Sequence, residues 1–103
     1  MTVYSTLLAR GAQVGGTYGT VYTAPSGVTV VLRDVILEQA NAGVATVIVS
    51  AGGFSLVSIV GVSVQYQTYH ESLRAVLAPG DDVVVDAVSV DWTYWISGYV
   101  LTP

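Results

Sequence analysis

The chain has 103 residues, no cysteine and no lysine, and a formal charge of −4 set by three arginines against seven carboxylates. That composition excludes a disulfide framework and thiolate chemistry, and it leaves too few cations for nucleic-acid binding by counterion release. Charged residues make up 10% of the chain and hydrophobic ones 52%, against about 25% charged in an ordinary soluble domain, so something other than water is expected to cover part of the surface.

Residues 4–9 read as a first short strand, and Gly11-Ala12-Gln13-Val14-Gly15-Gly16 as a flexible loop. Residues 1–16 are thus an arm or edge strand plus a glycine-rich loop. A second strand is predicted over 17–23, closed by Ala24-Pro25-Ser26-Gly27, where proline presets φ for the first corner and glycine accepts positive φ. The long strand 28–39 places Val28, Val30 and Leu32 on one face and then Val35 and Leu37. That one-residue slip at Arg33-Asp34 predicts a β-bulge.

Asn41-Ala42-Gly43 turns the chain into a strand over 45–50. Between Glu38 and Glu71 there is no charged residue, a stretch long enough to cross a bilayer. Gly52-Gly53 interrupts it, β-branched residues dominate it, and Thr46, Ser50, Ser55, Ser58 and Ser63 alternate in part with its apolar residues, so a hairpin is expected and no membrane span. Strands follow over 54–60 and 62–68, with Gly61 a candidate kink. The strand 70–77 ends at Ala78-Pro79-Gly80-Asp81, another tight turn. Residues 83–90 are apolar on both faces except at Asp86 and Ser89, the texture of a central strand. The last strand, 92–101, carries Thr93, Trp95, Ser97, Tyr99 and Leu101 on one face and Trp92, Tyr94, Ile96 and Val100 on the other. No window has helical spacing with caps. The expected fold is all-β: one domain over 1–103, a two-sheet antiparallel sandwich, jelly-roll-like, with about eight or nine short strands.

Chemistry-bearing constellations are weak. His70-Glu71 is the one histidine beside a carboxylate, but neighbours in a strand diverge to opposite faces. Asp81, Asp82 and Asp86 lack the spacing of a calcium loop, and Asp after Pro-Gly is turn chemistry. Gly11, Gly15, Gly16 and Gly19 precede no helix and no G-K-[ST], so they make no phosphate loop. Gly53-Phe54-Ser55-Leu56-Val57 fails the nucleophile-elbow pattern at its last position. No enzyme, cofactor or metal is expected. The aromatic set is more informative. Tyr66, Tyr69, Trp92, Tyr94, Trp95 and Tyr99 are the candidate partner-binding residues, with one face of the last strand expected to fill the core and the other to meet a partner.

With the turns placed, the chain resembles the small β-sandwich virion proteins of tailed bacteriophages, of minor tail or capsid decoration type. The resemblance lies in Leu7-Leu8-Ala9-Arg10, in Val21-Tyr22-Thr23-Ala24-Pro25-Ser26-Gly27 with its Y-T-x-P-x-G turn, in Asn41-Ala42-Gly43 leading to Ala45-Thr46-Val47-Ile48-Val49, and in Leu77-Ala78-Pro79-Gly80-Asp81. It implies a structural protein that docks on capsid or tail to stabilise or cap it, with other virion proteins as partners, located in the virion and made in the host cytoplasm. No signal peptide is expected, because the N-terminus lacks a basic region before its apolar residues and a cleavage site after them. The sparse charge predicts a homo-oligomer, a trimer or ring. The rival readings are a carbohydrate-binding module with Trp92, Trp95, Tyr66 or Tyr69 as the sugar platform, and a secreted or membrane-inserting β-protein.

Overall fold

The computed structural model describes residues 2–43, 45–61 and 67–103. Eight strands follow in chain order: β1 (Thr2–Gln13), β2 (Thr17–Thr23), β3 (Thr29–Gln39), β4 (Ala45–Ala51), β5 (Phe54–Gly61), β6 (Thr68–Leu77), β7 (Asp82–Ala87) and β8 (Trp92–Thr102). They form two four-stranded antiparallel sheets, ordered β1-β8-β3-β6 and β2-β7-β4-β5. The pairs β1·β8, β2·β7, β3·β6 and β4·β5 are nested, which is a long antiparallel ribbon rolled into two layers: a jelly roll. No helix long and apolar enough to cross a membrane occurs among the described residues.

Alternation decides what lies between the layers. The first sheet sends inward Val30, Leu32, Val35 and Leu37 from β3 and Trp92, Ile96 and Val100 from β8; the second sends Val47 and Val49 from β4, Val57 and Ile59 from β5, and Val83 and Val85 from β7. Each such side chain, removed from water, stabilises the fold by about 1.5–3 kcal/mol before ordering costs. The slip at Arg33 is a bulge as expected: the ladders of β3 with both neighbours shift between Leu32 and Asp34. The glycine pair at 52–53 makes the expected hairpin, with φ of 57° and 84°, a conformation that suits glycine. The strand expected over 83–90 proves central as far as Ala87, with Val83, Val85 and Ala87 buried, as β7 lies between β2 and β4.

Two expectations change. The first strand is longer than 4–9, because Arg10, Gly11, Ala12 and Gln13 continue the ladder opposite Trp95, Tyr94, Thr93 and Trp92. Gly11 is there for close approach, not for flexibility: a Cβ on it would come within 2.8 Å of the Tyr94 hydroxyl. Gly15 likewise has no room for a Cβ, which would meet the Ser89 and Val90 backbone at 2.8 Å, and its N–H donates to Asp91 Oδ1. The second change is that β7 stops at Ala87, after which the Val88 N–H donates to the Thr46 carbonyl. The strand expected over 62–68 lies outside the described residues except for its end.

Candidate partner-binding face

The outer surface of the β1-β8-β3-β6 sheet is assembled from rows fixed by register. Val3, Leu101 and Thr29 form one end; then come Ser5, Tyr99, Val31 and Val76; Leu7, Ser97, Asp34 and Ser72; Arg10, Trp95, Ile36 and His70; and Ala12, Thr93, Glu38 and Thr68. Two arginines lie on aromatic rings within this array. The Arg10 guanidinium sits 5.6 Å from the Trp95 ring centroid, and Arg33, exposed by the bulge, 5.5 Å from that of Tyr99. The ring quadrupole attracts the cation and holds each long side chain in one orientation. Near Trp95 the face sinks into a depression of about 480 Å³ lined by Arg10, Ile36, Glu38, Thr68, Thr93 and Trp95, among others.

Asp34 is the polar centre of the face. His70 Nε2 lies 2.9 Å from Asp34 Oδ1, and Ser72 Oγ donates to the same oxygen at 3.4 Å. The hydrogen bond from His70 is the largest cause that holds the Asp34 carboxyl below its ordinary value; desolvation opposes it, while the charges of His70 and Arg33 and the Ser72 hydroxyl add to it. His70 therefore works with the carboxylate on the neighbouring strand, and its sequence neighbour Glu71 takes no part in that pair. Asp81 and Asp82 serve the backbone and a neighbouring strand: the Ala78 N–H donates to Asp81 Oδ2 at 2.9 Å, and Thr23 Oγ1 to Asp82 Oδ1 at 2.7 Å. Among the described residues no three His, Asp or Glu side chains gather as metal ligands would.

Of the six aromatic candidates, Trp95 and Tyr99 reach the outer face. Trp92 does not: it has no exposed surface and packs between the sheets, with its ring 5.8 Å from that of Tyr69. Tyr69 and Tyr94 are half-buried against the same core. The reason is period two on β8 and β6, which sends Trp92, Tyr94 and Tyr69 inward together. Tyr66 lies outside the described residues. Arg10, Arg33, Asp34 and His70 were not singled out as a group by sequence reasoning. The signal was present in the bulge, which puts Asp34, Ile36 and Glu38 on the outer face once the phase of β3 is corrected.

No protein-family model matches the chain, and comparison with curated proteins gives no match. Solved structures do match. A chain of the acidic stable capsid structure of Helicobacter pylori bacteriophage KHP30 is similar at a TM-score of 0.69 and 15% identity, over 99% of this chain and 95% of that one. A chain of the capsid asymmetric unit of cyanophage Pam1 is similar at 0.55 and 16% identity, over 98% and 85%. A chain of infectious bursal disease virus, Gt strain, gives 0.51 and 10% identity, over 98% of this chain but 33% of that one. At these identities, what this chain shares with all three is the fold.

Proposed function

We propose that the chain is a structural protein of a phage particle, acting as one module over residues 1–103, that associates with itself and docks on the shell or tail to stabilise or cap it. The observation that carries this reading is the near end-to-end match of the fold to a chain of the KHP30 capsid structure, 99% of one and 95% of the other. The work is contact, not catalysis. Its partners are further copies, in a trimer or ring, and other virion proteins; its place is the virion, after synthesis in the host cytoplasm. Apolar side chains at the strand edges supply surface for such contacts, above all Phe54 and Tyr18, each 76% exposed. Weak contacts repeated over a lattice become strong collectively. A sugar platform is less well supported, since Trp92 and Tyr69 are turned into the core and Arg10 stands over the Trp95 ring.

Mass spectrometry and immunogold microscopy of purified particles test the reading. The expected result is the chain on the particle surface in regular, stoichiometric amount. Recovery of the chain only from the particle-free fraction would overturn it.

A further inference from the structure

The arginines are gathered on one side of the sandwich, with Asp34 and Glu38 among them. All three arginines project from the outer face of the β1-β8-β3-β6 sheet: Arg10 on Trp95, Arg33 on Tyr99, and Arg74 two residues along β6 from Ser72, whose hydroxyl reaches Asp34 on that same face. The outer face of the β2-β7-β4-β5 sheet has Asp86, placed opposite Tyr18 and Ile48, and Asp82 opposite Thr23, and no arginine. Among the described residues the one ion pair is His70 with Asp34, so no arginine is in close contact with a carboxylate of its own chain, although the Arg33 charge acts on Asp34 from farther off. Guanidinium groups held on rings are weakly hydrated and already oriented, which lowers the cost of meeting an anion. Leu7 and Ile36 lie among them, and Val31, Val76 and Leu101 continue the apolar surface toward one end of the sheet.

We propose that this face docks on a protein surface that presents carboxylates among apolar side chains, and that the acidic face of the other sheet is turned away from it. The proposal rests on the function above only for where such a surface is met. The face is large enough for a stable contact, since four strands of 10–12 residues span about 700 Å², close to the roughly 800 Å² per partner of a standard interface. A second copy suits the face poorly. Two such faces together would set arginines against arginines, and the opposite side of a neighbouring copy offers Asp86 and an Asp82 already bonded by the Thr23 hydroxyl. Nucleic acid suits it poorly as well, since three arginines and no lysine are too few to bind a phosphate backbone by counterion release.

The test uses the purified full chain and an immobilised random copolymer of glutamate and tyrosine, with polyglutamate and a short DNA duplex as comparisons. The expected result is salt-sensitive binding to the copolymer, tighter than to polyglutamate or DNA. Arg10→Glu with Arg33→Glu weakens it at least about tenfold, Arg10→Lys with Arg33→Lys keeps part of it, and Asp86→Asn leaves it unchanged, all with wild-type circular dichroism. The proposal is overturned if the wild type does not bind, if arginine reversal leaves binding intact, or if DNA binds as tightly through the same arginines. Occupancy of the variants on particles separates the two ideas: copolymer results as expected with the wild type absent from particles overturn the function and spare the face.

Discussion

Trp92 and Trp95 stand three residues apart on β8 and turn to opposite sides of the sheet, the first fully buried and the second 42% exposed. Trp92→Ala is expected to destabilise the fold by about 3–5 kcal/mol, the cost of a large cavity between the layers. Trp95→Ala removes only the ring under Arg10 and is expected to cost less than about 1 kcal/mol. Urea titrations of the two variants measure this, and equal destabilisation would mean that both sides of β8 are core.

Gly98 lies on β8 opposite Leu32, at the β3 bulge. A Cβ there would overlap the Val31 carbonyl oxygen and come within 3.1 Å of the Leu32 Cα, both backbone atoms that cannot swing aside. Gly98→Ala is therefore expected to lose about 1–3 kcal/mol or more. A variant as stable as the wild type would show that the bulge relaxes freely.

Asp34 provides a pH signature. Its carboxyl is held below the ordinary value in the folded state, so the stability it contributes is present above the ordinary carboxylate range and is lost as pH falls through the lowered folded value. Asp34→Asn should be less stable than the wild type at pH 6, and the gap should close below about pH 4. Thermal melts across that range decide it; a gap that stays constant down to pH 2 contradicts the pairing with His70.

Chelation is expected to leave the melting temperature unchanged, because Asp81 is engaged by the Ala78 N–H and Asp82 by the Thr23 hydroxyl. Asp81→Ala, in contrast, should cost about 1 kcal/mol through the lost turn contact. A fall in melting temperature with EDTA that calcium restores would assign these carboxylates to a metal instead.

Much of this architecture was legible in the chain. Hydrophobic alternation located most strands, the Val-x-Val-x-Leu phase slip located the bulge at Arg33, and Pro-Gly and Gly-Gly pairs located the turns. Gly11 misled because glycine beside a strand reads as flexibility, whereas here it makes room for the Tyr94 ring on the paired strand, a contact between residues distant in sequence. The candidate face was harder to find for the same reason. Arg10 and Trp95, or Asp34 and His70, become neighbours only through strand pairing, and aromatic residues alone do not tell which side of a strand is covered.

The nested pairing also sets an order of events for the folding chain. β4 and β5 meet through a two-glycine turn, whereas Thr2 must find Thr102 at the far end of the sequence. An outer pair closes a long loop unless the pair inside it has already formed and shortened that loop, so folding is expected to start at the β4–β5 hairpin, proceed through β3·β6 and β2·β7, and finish with β1 on β8, on the millisecond-to-second scale of topologies with few local contacts. Mutations near residues 49–57 should then slow folding, and mutations in β1 should mainly speed unfolding. The edge strand that carries Arg10 to Trp95 would be the last to arrive, so the arginine-bearing face would be completed only once the rest of the sandwich has formed.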